Sequence, residues 1–219
     1  MKKKLVQRGF TLVEMIIVLS VFMFVIGASL IIFMSAVGQQ KETLARQEII
    51  NQTSYVMEYM SKALRMAKTA DSDECITTEY AYLLTRPSSG YFMGIKFLNY
   101  SDNTQVVIDS ETTDMPACQE FYLDATTGIL RERKSYYPYS SWTDLALTSS
   151  VVQINFVRFG LDGTNGCYGE ETTCPSFSPK TDLAQPRVTM VFSVQAKGDS
   201  QEPEKLIQTT ISQRNLNMQ

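Results

Sequence analysis

A chain of 219 residues, 44% apolar and 11% aromatic, is long enough for one folded domain plus an appendage and too apolar to stay disordered. Of its 20 basic and 23 acidic side chains, Lys2, Lys3, Lys4 and Arg8 precede a long apolar run, and without them the rest carries 16 against 23, net −7. So acidic a body argues against indiscriminate binding to nucleic acid, although a local basic patch assembled in three dimensions stays open, and the absence of histidine removes Ser/His/Asp and Cys/His triads and histidine-ligated metals.

The first element is the apolar run beginning at Phe10. Between Glu14 and Lys41 lie 26 uncharged residues, Met15 to Gln40, most of them Ile, Val, Leu, Met or Phe. At about 1.5 Å per residue, a helix of that length crosses a bilayer core of about 30 Å. The run is too long for the apolar region of a secretory signal peptide, and the boundary after Ala36 is a weak mimic of a cleavage site. The basic residues before it place the N-terminus in the cytoplasm and everything after the run outside. Glu14 is the one charge inside the stretch, and a lone carboxylate near the bilayer centre would cost about 2.5–3.5 kcal/mol. Either it lies close enough to the interface to stay hydrated, or a positive charge reaches it. Cleavage between Gly9 and Phe10 would create such a charge, an α-amino group about one helical turn away.

The segment "KKKLVQRG" followed by "FTLVEMIIVLSVF" resembles the type IV prepilin leader and N-terminal helix shared by type IV pilins, competence pilins and type II secretion pseudopilins. The resemblance rests on a short basic leader ending in Gly9, an aromatic Phe10 as first mature residue, and Glu14 at the fifth mature position, and it covers roughly the first 30 residues. It implies that a prepilin peptidase cuts after Gly9 and methylates the amine of Phe10. It also implies that Glu14 pairs with the N-terminal amine of a neighbouring subunit during assembly. A buried ion pair is tolerated in a low-dielectric bundle only with its partner in place, so such an acid would report register as well as charge.

Past the run the helical pattern continues as an amphipathic stripe: Ile49, Thr53, Val56, Met60, Ala63 and Ala67 at alternating steps of four and three, widened by Ile50, Met57 and Leu64. Core packing explains this stripe better than a free-standing coiled coil, because Thr53 and two alanines make a weak seam. Asp71, Ser72 and Asp73 read as a turn, after which the period changes to two. "EYAYLLTR", "YFMGIKFL", "TQVVID", "EFYLD", "GILRERK", "VVQINFVRF" and "RVTMVFSVQA" read as seven strands, with a hairpin around Ala125 to Gly128 and a long loop from Gly160 to Pro186. Without crossover helices an antiparallel sheet is favoured. The expected fold is therefore α+β: leader 1–9, transmembrane and assembly helix 10–37, amphipathic helix 38–70, and a β-rich head 71–219. The pilin resemblance implies the same architecture. The length of the head and the tail "QTTISQRNL", Gln208 to Leu216, further resemble J-type minor pseudopilins and PilW-like minor pilins.

All four cysteines follow the apolar run, on the exported side. An even count there reads as two disulfides, with the close pair Cys167 and Cys174 as a local staple and Cys75 with Cys118 as the remainder; four reduced buried thiols is the competing reading. The stapled loop gathers Asp162, Asn165, Glu170 and Glu171, oxygen donors suited to calcium, but without EF-hand spacing, so a plain closed loop is the simpler account. The stretch "KSYYPYSSW", Lys134 to Trp142, is either an exposed aromatic patch for a partner or sugar, or a strand end with its aromatics tucked beneath. No catalytic constellation and no cofactor are expected. The chain reads as a non-catalytic minor pilin or pseudopilin subunit, with prepilin peptidase, other pilins and the membrane assembly machinery as partners. The alternative is a binding subunit, for DNA uptake or adhesion, of a competence or type IV pilus, which an exposed cluster of Lys or Arg with aromatics would support.

Overall fold

The computed structural model describes residues 9, 11–78, 80–108, 111–149, 151–162, 166–168, 185–197 and 204–214, with backbone alone at 108 and 166–168. Helix α1 (Leu12–Arg65) runs for 54 residues. The chain divides into two compact units, residues 1–47 and 48–219. In the first, the apolar side chains of α1 lie bare: Phe24 is 79% exposed and Ile31 74%.

In the second unit the remainder of α1 buries one face, Ile49, Thr53, Val56, Met60, Ala63 and Leu64, the stripe expected from the sequence except that Ala67 lies beyond the helix end, Met57 is only partly buried and Ile50 is exposed. Thr53, the polar member, donates its hydroxyl to the Ile49 carbonyl at 2.7 Å and so needs no partner in the core. The carbonyls at the helix end are bonded from elsewhere: Leu64 accepts the Tyr82 hydroxyl at 2.6 Å, and Arg65 accepts the Arg214 amide at 2.9 Å.

The strands are β1 (Ala67–Lys68), β2 (Tyr82–Ser88), β3 (Tyr91–Ile108), β4 (Glu111–Asp124), β5 (Ile129–Ser135), β6 (Thr143–Ala146), β7 (Val152–Asp162), β8 (Gly166–Tyr168), β9 (Arg187–Ala196) and β10 (Lys205–Ser212). They form one sheet in the order β10-β9-β7-β3-β4-β5-β6, with β1 and β2 added to β3. Every pairing is antiparallel except β2 with β8, three residues long. One long N-terminal helix with a large antiparallel sheet is the α+β architecture expected. The main core joins Met60 and Leu64 of α1 to Phe97, Phe121, Met190 and Phe192 of the sheet. A smaller cluster, Ala70, Cys75, Ile76, Leu83, Leu98 and Cys118, holds the segment after β1.

Four differences from the sequence reading have local causes. The two strands expected at 91–98 and 104–109 are one, β3, because the polar stretch between them is a bulge: register shifts between Asn99 and Asn103, and the Asn99 side chain accepts from the Ser101 amide (3.0 Å) and hydroxyl (2.8 Å). The loop expected from Gly160 begins later, since β7 continues to Asp162, and β8 lies inside it. The tail is strand β10, with Ile207 and Ile211 turned inward. The exposed four-residue strand β6 has no alternation to announce it. The hairpin at 125–128 is as expected, closed by Gly128 at φ 67° and by the Asp124 carboxylate, which accepts from the Thr126 amide and the Thr127 hydroxyl.

Candidate functional site

The candidate assembly site is built by the start of α1. Gly9 is exposed, and a β-carbon there would meet nothing within 4 Å. Thr11 caps the helix: its hydroxyl oxygen accepts the Glu14 amide at 3.3 Å, and its carbonyl accepts the Met15 amide at 3.2 Å. Thr11-Leu-Val-Glu14 thus has the spacing of a capping box, with Glu14 in the first turn, where the positive end of the helix dipole favours a carboxylate. Glu14 is therefore both the acid inside the apolar run and a member of a capped helix end. Among the described residues no cationic side chain is paired with Glu14. Phe10, the other half of the expected processing and assembly site, lies outside the described residues.

Beyond Glu14, α1 is one helix long and apolar enough to cross a membrane. Its hydroxyls at Ser20 and Ser29 bond to the carbonyls of Ile17 and Val25, both at 2.8 Å, so neither requires an external partner in an apolar surrounding.

The prokaryotic N-terminal methylation motif matches residues 4–30 of this sequence. The chain carries a type IV pilin-like N-terminus. Such a motif implies cleavage by a prepilin peptidase and assembly with other pilins, and with the apolar helix it fits a membrane-anchored pilin. No curated protein and no solved structure matches the chain.

In the head, Cys75 and Cys118 are joined, the pair left as the remainder by the sequence reading. The side chain of Cys167, and Cys174 altogether, lie outside the described residues, so their proposed bond does too. Of the calcium candidates, Asp162 ends β7 opposite Arg187, while Asn165, Glu170 and Glu171 lie outside the described residues. Among the described residues no group of three acidic or thiol side chains could hold a metal ion. The stretch Lys134 to Trp142 divides between its two readings. Tyr139 packs on the smaller cluster and donates to the Pro116 carbonyl (2.9 Å), whereas Tyr136 and Trp142 are exposed.

Two buried carboxylates were not legible in advance. Glu132, turned toward α1, accepts from the Tyr59 hydroxyl (2.8 Å), from Gln119 and from Lys134 (3.3 Å). Burial works against the charge of Lys134, but its bond to Asp102 and the field of Glu132 outweigh burial and hold its pKa above the ordinary lysine value. Glu120, on the opposite face and with no exposed surface, accepts from Thr85 (2.6 Å), Arg86 (3.3 Å) and Arg133. Arg86 also lies over the Tyr122 ring at 3.7 Å, and Arg133 and Lys96 over Trp142 at 4.6 and 5.3 Å. This outer face is the cluster of cations and aromatics that the binding reading required, with both arginines engaged by Glu120.

Proposed function

We propose that the chain is a non-catalytic minor pilin or pseudopilin subunit. After removal of residues 1–9 it assembles through its N-terminal helix, at the initiating tip of a type IV pilus-like filament or a type II secretion pseudopilus. The observation that carries this reading is the start of the chain and of α1: an exposed Gly9 inside the methylation motif, one carboxylate in the first helical turn, and a bare apolar helix surface that none of the described residues covers. An exposed apolar surface of that extent is stable only against lipid or other helices. The basic leader supports a cytoplasmic N-terminus with the head outside, and the head length and tail 208–216, similar to J-type and PilW-like subunits, support the tip position. The lack of histidine supports a structural rather than catalytic head. Mass spectrometry of the chain extracted from its membrane tests the processing step. N-methyl-phenylalanine at residue 10 is expected, and an intact Met1 or a cut near Ala36 overturns the assignment.

A second reading, a binding subunit of a competence or adhesive pilus, is favoured by the outer face around Trp142. Arg86, Lys96, Arg131 and Arg133 there outnumber Glu120 and Asp144. Retained DNA uptake or adhesion in a Trp142→Ala, Arg133→Gln variant that still assembles would dismiss it.

A further inference from the structure

The two ends of the sheet differ. Strand β6 is four residues long, whereas β10 is eight, contains no proline, and among the described residues has no strand on its outer side. A long open edge presents unpaired backbone amides and carbonyls, and proteins ordinarily shorten, charge or cover it. Beside the C-terminal end of β10 is a cleft of about 890 Å³, bounded by Thr210 and Ser212 of the strand and by Glu58, Lys62 and Arg65 in the last two turns of α1, with Arg214 following the strand. Lys62, Arg65 and Arg214 are exposed, and none makes an ion pair or side-chain hydrogen bond with any described residue. With Glu58 the cleft carries three positive charges against one negative, in a body of net −7.

We propose that this cleft and the edge of β10 together receive an extended, acidic polypeptide segment from a neighbouring pilin-like subunit, added to β10 as a further strand. The backbone edge supplies hydrogen bonds that only another polypeptide strand matches, and the three cations select carboxylates on it. Nucleic acid fits less well. Among the described residues the lining contains no aromatic side chain on which a base could stack, and the net negative charge of the body repels a long polyanion. The acidic-strand chemistry stands on the cleft and the edge; only the source, a neighbouring subunit, rests on the pilin reading.

The test uses the full-length chain in detergent micelles and, as probe, a fluorescent peptide of residues 101–116. That segment has four carboxylates and no cation, and its residues 103–108 and 111–116 pair with each other as antiparallel strands in their own context. Saturable binding is expected. At least tenfold weaker binding is expected for the peptide with Asn and Gln in place of its acids, for the peptide N-methylated at alternate amides, and for the Lys62→Gln, Arg65→Gln, Arg214→Gln protein. An oligothymidylate of equal charge should not compete. Absence of saturable binding, or equal binding of the neutral peptide, overturns the proposal. Equal binding of the N-methylated peptide overturns strand addition, and effective competition by the oligothymidylate makes the cleft a nucleic-acid groove instead. The peptide comparisons use unaltered protein, so a misfolded variant does not decide the result. The residue-10 modification, read on the same preparation, separates failure of the proposal from failure of the pilin assignment.

Discussion

Gly94, on β3 opposite Tyr122, sets how closely the outer-face network can pack. A β-carbon at Gly94 would stand 2.3 Å from Thr85 Oγ1, 3.2 Å from Glu120 Oε1 and 3.3 Å from Tyr122 Cβ. The first distance is a collision, and Thr85 is β-branched in a strand, so its oxygen cannot swing aside without losing its 2.6 Å bond to the buried Glu120. Overpacking costs about 1–3 kcal/mol, and losing a hydrogen bond to a buried charge about 1.5–3 kcal/mol. Gly94→Ala should therefore destabilise the head by about 3–5 kcal/mol, which for a domain of this size lowers Tm by about 10 °C. The single tryptophan, Trp142, lies against Arg133, which also bonds Glu120, so its fluorescence reports melting at the site. Thr85→Ala removes the colliding oxygen and should cost about 2 kcal/mol alone. The double variant should be no worse than Gly94→Ala, a coupling of at least about 2 kcal/mol. A Tm loss under about 2 °C for Gly94→Ala, or strictly additive losses in the double variant, would refute this account of the network.

Replacing both Cys75 and Cys118 by Ala opens a loop with a sequence separation of 43 and should cost about 4 kcal/mol by loop-closure entropy, read as a lower denaturation midpoint with a steeper slope, because the uncrosslinked denatured chain is more expanded. Head stability should be flat between about pH 5 and 9, since no histidine titrates there. On the acid side, hydrogen bonds from Thr78 depress Asp73; at Asp144 burial opposes the shift, but bonds from Tyr122 and Arg131 prevail. Depressed carboxylates contribute stability that is present above their unfolded pKa and lost as pH falls through the folded one, so melting should decline below about pH 4. On the alkaline side, burial first, then carboxylate neighbours, raise Tyr59, Tyr122 and Tyr136, whose contribution is present below about pH 10 and lost above it. A decline between pH 8 and 6 would contradict both assignments.

The helix was legible because its two patterns are strong: an uninterrupted apolar run, then a stripe whose members Ile49, Thr53, Val56, Met60 and Ala63 are buried. Strands with one wet and one dry face, such as β9, were legible at their full length. Legibility failed where tertiary pairing decides. The polar Asn99–Asn103 stretch separates two strands in the sequence and becomes a bulge within one strand only because the residues on both sides of it pair with β4, and β10 is so polar that only two inward isoleucines mark it. Arg131, Glu132 and Arg133 in β5 read only as charged members of a strand. They proved to be one buried acid facing α1 and two cations facing away, because Tyr59 arrives from 73 residues earlier. No local signal in the sequence encodes that meeting.

At Glu14 the magnitudes separate the competing roles. The helix dipole in the first turn offsets about 0.3–1 kcal/mol, against about 2.5–3.5 kcal/mol for a carboxylate well inside a bilayer. The cap alone therefore does not account for the acid, and the balance comes from water at the interface or from an amine. Glu14→Gln keeps the side-chain size and leaves the Thr11 hydroxyl to accept the residue-14 amide, so α1 should still begin at Leu12 and insertion into the membrane should be easier. If water accounts for the balance, the variant loses only the dipole contribution, and cross-linking to partner pilins is unchanged. If the amine of a neighbouring subunit accounts for it, the processed variant accumulates as a stable membrane monomer, cross-linking falls at least tenfold, and the head melts as before because its core begins at Ile49. Normal cross-linking and filament output in both Glu14→Gln and Glu14→Ala would leave hydration as the reason for the acid and remove Glu14 from the assembly contact.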